Sequence, residues 1–125
     1  MGDGSKKGFK RLVNAFFYSM AGFKAAWKNE EAFRQEVLAG IVFVPAGFLL
    51  GTTGTQRALL ILSYLIIPLV ELLNSAIEAT VDRFGMERNE LSGRAKDIGS
   101  ASVFLSICIA AIVWILVVCE NYFDL

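Results

Sequence analysis

The chain has 125 residues, 55% of them hydrophobic, with a mean hydropathy of +0.55. That length suits a single domain and that composition is too apolar for an ordinary soluble one, which predicts a small integral membrane protein. Twelve Lys and Arg balance twelve Asp and Glu, so net charge points neither to a nucleic-acid binder nor to an acidic tail, and the lack of any His excludes imidazole base catalysis and His-rich zinc sites.

Met1 to Lys7 is polar and basic, with no apolar run leading to a small-residue cleavage site, so no signal peptide is expected. Phe9, Leu12, Val13, Phe16, Phe17, Met20, Phe23 and Trp27 then recur at helical spacing, while Lys10, Arg11, Asn14, Lys24 and Lys28 take the other positions. The pattern predicts an amphipathic surface helix over about 8–28, its apolar face in the acyl boundary and its lysines toward anionic headgroups.

Three membrane spans are expected next, over about 32–50, 58–82 and 97–119. The first has its apolar core only from Val37 to Leu50 and must borrow a turn from Ala32 to Glu36, with Arg34 and Glu36 near the interface. Gly51 to Gln56 reads as a tight turn between antiparallel helices. Pro45 and Pro68 fall inside spans one and two, which transmembrane helices tolerate. Cys108 and Cys119, both in span three, are eleven residues apart, roughly 16 Å along a helix, and cannot bridge within one chain. They read as small apolar residues.

Basic residues number seven before span one, one between spans one and two, four between spans two and three, and none after. Positive charge gathers on the cytoplasmic side, so the N-terminus and the loop Arg83 to Lys96 are expected there, and the first loop and the C-terminus opposite.

Span two carries the chemistry. Glu71, Asn74, Glu78 and Asp82 are spaced three, four and four residues apart. At about 100° per residue they fall within about 80° of each other, a polar stripe on an otherwise apolar helix. Each charge at the bilayer centre costs about 2.5–3.5 kcal/mol on insertion scales, so a chain that keeps several on one face uses them. The stripe runs toward Glu87, Glu90, Arg94, Lys96 and Asp97. Carboxylates with oxygen-only neighbours suit a hard cation such as magnesium, which binds through one or two carboxylates plus phosphate oxygens. Lys96, Arg94 and Arg11 would then supply positive charge to a nucleotide. The chain has no GxxxxGK[ST] loop, and Gly51-Thr-Thr-Gly54 belongs to the other membrane face, so a phosphate-loop mechanism is out. A proton- or cation-conducting membrane subunit is the competing reading of the same glutamates. Against it, Leu59 to Leu69 offers only Ser63 and Tyr64 as polar groups toward the far side.

The run Glu71-Leu-Leu-Asn-Ser-Ala-Ile-Glu78-Ala-Thr-Val-Asp82-Arg, followed by Glu90-Leu-Ser-Gly-Arg-Ala-Lys-Asp-Ile-Gly99, resembles the signature of the small bacterial diacylglycerol kinases. The likeness extends to Ala25-Ala-Trp-Lys-Asn-Glu-Glu-Ala-Phe-Arg-Gln-Glu36, so it covers nearly the whole chain in order. Undecaprenol kinases of the same family share the span-two acids, but the runs around Arg34 and Arg94 look closer to the diacylglycerol-specific, Gram-negative branch.

The resemblance implies an all-α integral membrane protein, 1–125 forming one kinase domain of three spans and a surface helix, assembled as a homotrimer with active sites shared between subunits. It implies ATP-dependent phosphorylation of diacylglycerol to phosphatidic acid at the cytoplasmic face of the bacterial inner membrane, with magnesium. The family's catalytic base falls on Glu71, with Asn74 one turn away to orient base or substrate, and the metal ligands fall on Glu30 and Glu78. Nucleotide contacts fall on Arg11, Tyr18, Glu30, Glu78, Glu87, Lys96 and Asp97. Arg11, Ser19, Trp27, Arg34, Gln35, Glu36, Glu71, Ser100 and Trp114 fall on the lipid side. Trp27 and Trp114 read equally as interfacial or packing aromatics. Asp82 reads equally as a helix cap or a partner for Arg83 or a neighbouring subunit, Ser92-Gly93 as a turn, and Glu31, Glu120 and Asp124 as solvated charges. The sequence departs from the family at Met86-Glu87-Arg88-Asn89, so adenine contacts are not carried to Arg88 and Asn89, and span one matches no motif around Val44-Pro45-Ala46-Gly47. Because three short helices offer little cover, the stripe is expected to need a closed oligomer to bury it.

Overall fold

A computed structural model describes residues 7–85 and 89–123 as four helices: α1 (Phe9–Asn29), α2 (Glu31–Leu50), α3 (Gly54–Asp82) and α4 (Glu90–Tyr122). α2, α3 and α4 are long and apolar enough to cross a membrane and run antiparallel to their neighbours, which gives a multi-pass membrane protein with three candidate spans. α3 is the middle element, packed against both α2 and α4, whereas α1 makes its main contact with α2.

One residue separates α1 from α2. Glu30 has extended backbone (φ −119°, ψ 104°), closes α1 and opens α2. Arg34 holds that elbow: its guanidinium donates to the carbonyls of Trp27 at 2.6 Å and Lys28 at 3.2 Å, two acceptors left over at the end of α1. The apolar face of α1, including Phe9, Phe16, Phe17, Phe23 and Trp27, is exposed, as the surface-helix reading expects.

The α2–α3 connection is shorter than the predicted turn, since Thr53 already caps α3, its hydroxyl accepting from Gln56 N at 3.1 Å. Gly51 is required there: an added Cβ would sit 2.8 Å from Arg57 Cγ and 2.9 Å from Arg57 N. Arg57 in turn donates to Phe48 O at 3.0 Å and lies over the Phe48 ring. The end of α4 closes onto this turn. Asn121 donates to Leu50 O at 3.1 Å and to Gln56 Oε1 at 2.8 Å, and Tyr122 donates to Leu50 O at 3.0 Å.

Mid-bundle, Phe43 of α2 stacks on Tyr64 of α3 (5.2 Å) and meets Trp114 of α4 edge to face (5.6 Å). Both polar tips find carbonyls, Trp114 Nε1 donating to Leu60 O at 3.0 Å and the Tyr64 hydroxyl to Glu36 O. Tyr64, Ile67 and Ala110 form the apolar centre, with Ala39 and Val44 against them.

α4 starts seven residues before the predicted span, which corrects the reading of Arg83 to Lys96 as a loop. Its first two turns are polar and escape a hydropathy criterion, but Asn89 Oδ1 accepts from Leu91 N (2.9 Å) and Ser92 N (3.2 Å) and nucleates them. Ser92, Gly93, Arg94 and Lys96 are therefore helical, and Ser92-Gly93 is not a turn.

Candidate functional site

The polar stripe of α3 splits into two halves. Glu71 and Asn74 are 6% and 9% exposed, Glu78 is half-buried, and Asp82 is exposed. A single chain thus buries the inner half without an oligomer, contrary to the expectation from sequence. The reason is close approach on both flanks. On the α2 side the Glu36 carboxyl neighbours that of Glu71, and on the α4 side Asn74 packs against the bare Cα of Gly99.

Glu36 Oε1 is buried and has no hydrogen-bond partner among the described residues, and the same holds for Asn74 Oδ1. An ionised carboxylate only accepts, so such an oxygen is completed by a donor that a ligand brings. Buried polar atoms without partners are costly and rare; Glu36 Oε1 lies beside Glu71, whereas Asn74 Oδ1 is closed off by the backbone of Gly99.

The outer half gathers charge from every element. Glu78 has Glu30, Glu71, Asp82 and Lys96 as its charged neighbours. Lys96 forms an ion pair with Asp82 at 2.7 Å, so Asp82 pairs across helices rather than with Arg83. Glu30, at the α1–α2 elbow, accepts from the Ser75 hydroxyl at 2.8 Å through Oε1. Ser75 was not anticipated from sequence. It lies beside the stripe, and serines in apolar helices commonly bond their own preceding turn, as Ser19 and Ser102 do here. Between α1 and α3 this contact lies at a cleft of about 470 Å³, lined by Ser19, Phe23, Ala26, Asn29, Ala79 and others, mostly small residues.

Other sequence-derived positions are placed as follows. Arg11 and Tyr18 are exposed on α1, and Ser19 reaches the cleft. Asp97 and Ser100 are exposed on α4. Gln35 is exposed and reaches only Glu31, at 3.4 Å. Arg34 is occupied by the end of α1, and Trp114 by Phe43 and Leu60 O, so both make structural contacts within the chain. Trp27 is exposed on the apolar face of α1. Asn89 is the α4 cap, while Glu87 and Arg88 lie outside the described residues.

Among the described residues no group of three or more Cys, Asp and Glu side chains gathers to hold a metal ion by itself. Glu30 and Glu78 provide two carboxylates, hard oxygen donors of the kind magnesium accepts when phosphate oxygens and water complete its shell. Ser75 engages Oε1 of Glu30, so Oε2 would be the oxygen to meet such an ion.

Residues 17–118 match the prokaryotic diacylglycerol kinase family. The chain is 52% identical over 107 residues to the diacylglycerol kinase of Haemophilus influenzae, covering 86% of this chain and 91% of that protein. It is 51% identical over 107 residues to that of Pseudomonas aeruginosa (86% and 87%), and 48% identical over 115 residues to that of Escherichia coli strain K12 (92% and 94%).

Proposed function

This chain belongs to the prokaryotic diacylglycerol kinase family, and from that premise we propose how it phosphorylates diacylglycerol with ATP: by direct in-line transfer, Glu71 serving as general base. The observation that carries the proposal is the division of the α3 stripe into a buried acid–amide pair, Glu71 and Asn74, and an outer carboxylate pair, Glu78 and Glu30. Glu71 and Glu78 are seven residues apart, about 10 Å along the axis. That interval has room for a lipid hydroxyl at one end and a nucleotide phosphate at the other.

In this scheme Glu71 accepts the proton of the primary hydroxyl as its oxygen attacks the γ-phosphorus, the bond to the bridging oxygen breaks, and ADP leaves with that electron pair. Asn74 presents its amide to the reacting groups. Glu36, beside Glu71, restrains the base. Glu30 and Glu78 would hold magnesium, which would supply positive charge against the phosphates. Lys96, released from Asp82, moves toward the nucleotide, and Asp97, Arg11 and Tyr18 complete its contacts. No phosphoenzyme forms, because the carboxylate takes a proton and not a phosphoryl group.

The site faces the cytoplasm in this reading, supported by the excess of basic residues before α2 and between α3 and α4. The open outer half, with Glu78 half-buried and Asp82 exposed, supports completion by neighbouring copies in the homotrimer that the family resemblance implies.

Purified protein in mixed micelles with magnesium and γ-labelled ATP, offered dioleoylglycerol and undecaprenol in parallel, tests the proposal. Label is expected mainly in phosphatidic acid. Label mainly in undecaprenyl phosphate would move the substrate to a polyprenol, and label recovered on a protein carboxylate would overturn the direct mechanism.

A further inference from the structure

Gly99 is buried in α4, one helix away from the stripe, and among the described residues the only side chain within reach of an added Cβ there is Asn74. Such a Cβ would overlap Asn74 Oδ1 outright and lie 3.2 Å from its Cγ and 4.0 Å from its Cβ. The amide oxygen therefore occupies the volume in which any other residue would carry its first side-chain carbon. No donor reaches that oxygen among the described residues. It is held by shape, with a glycine C–H facing it, rather than by a hydrogen bond.

Shape alone fixes which end of the amide faces the site. The slot closes on Oδ1, while Nδ2 is not among the buried atoms that lack a partner. Turning the amide over would drive two N–H donors into a slot without an acceptor, and orphaned donors are rarer in proteins than under-satisfied carbonyl oxygens. Glycine is also among the poorest residues for a helix interior, so its presence midway through two well-formed turns calls for a local reason.

We propose that Gly99 is a positioning residue for phosphoryl transfer: its missing side chain seats the Asn74 oxygen and thereby aims the amide N–H groups at the reacting hydroxyl and phosphate. This rests on the reading of Asn74 as part of the catalytic machinery. The reacting groups meet Asn74 itself, and Gly99 acts only through it. Gly99→Ala pushes the amide out of its seat, an error of ångström size in a group that must be aligned at the transition state, for which losses of roughly a hundred-fold in rate are typical.

The test is a two-by-two set, Gly99→Ala and Asn74→Ala alone and combined, read by kcat, by KM for the lipid and by thermal unfolding in micelles. Gly99→Ala is expected to lower kcat roughly ten- to a hundred-fold with a much smaller change in KM, and to lower Tm. In the Asn74→Ala background the clash is gone, so the same glycine replacement should raise Tm, as alanine for glycine does in a helix, and leave kcat unchanged. Equal losses of Tm in both backgrounds, or a double variant that fails to fold, would overturn the inference and make Gly99 a general packing residue. Full activity of Asn74→Ala would instead remove the catalytic reading of Asn74, and the proposal with it. An inactive Asn74→Ala beside an unimpaired Gly99→Ala would leave that reading standing and sink the proposal alone.

Discussion

The two ends of the bundle are built on opposite plans. At the Leu50 end, Gln56 and Asn121 bond to each other while Asn121, Tyr122 and Arg57 donate to carbonyls of the last turn of α2, so these polar groups are matched within one subunit. At the Glu30 end, acids outnumber their partners: Glu78 faces three other carboxylates and a single lysine, and that lysine already binds Asp82. The finished end carries stability. The unfinished end keeps its charges for something that arrives from outside, since concentrating like charge in a partly buried place destabilises a fold unless ligands or partners relieve it.

Replacing residues from each end separates these roles. The largest effect belongs to Glu71: Glu71→Gln is expected to cost at least roughly 10²–10⁴-fold in turnover, the range associated with a positioned general base, while nucleotide binding is kept. Glu78→Gln should instead shift the magnesium requirement. Parallel nucleotide titration of the two variants checks this, and equal loss of binding in both would erase the distinction between base and metal ligand.

Ser75→Ala comes next. Without its hydroxyl, Glu30 loses the hydrogen bond that, among the described residues, ties the elbow to α3, and the half-saturating magnesium concentration should rise roughly ten-fold, as for other residues that orient a metal ligand. Manganese binding followed by electron paramagnetic resonance, without turnover, should weaken in step. An unchanged affinity would mean that the Ser75 contact matters for packing only.

Asn121→Ala should have the smallest effect on activity and a clear one on stability. It removes donors to Leu50 O and Gln56, which keep Tyr122 and Thr52 as partners, with a cost of about 0.5–1.5 kcal/mol per hydrogen bond lost, readable as a lower Tm at nearly unchanged kcat. A loss of kcat without a loss of Tm would break the separation between the two ends.

Much of the fold was legible because period and length carry it. The 3.6-residue rhythm of Phe9 to Trp27 defines α1 to within a residue or so, and the stripe from Glu71 to Asp82 points to one face of α3 before any coordinates exist. The first turns of α4 were not, because Glu90 to Lys96 has the composition of a loop and only the Asn89 cap betrays a helix. Contacts between distant segments were also out of reach. Nothing in the spacing of Arg34, Trp114 or Ser75 says that they turn toward Trp27 O, Leu60 O or Glu30, since those partners lie on other elements or across the elbow. The burial of Glu71 and Asn74 by one chain depended on how closely α2 and α4 approach, which pattern alone does not encode.

The length of α3 has one more consequence. From Leu59, where its apolar run begins, to Glu71 is roughly 18 Å, and to Glu78 roughly 28 Å, against a hydrocarbon thickness of about 30 Å. One rigid rod therefore passes from oil to water within the reach of its own side chains. If Glu71 meets the lipid and Glu78 the nucleotide, as proposed, a reagent dissolved in the lipid and another in the aqueous phase would meet along it without either leaving its solvent, phase-transfer catalysis on neighbouring turns of a single helix.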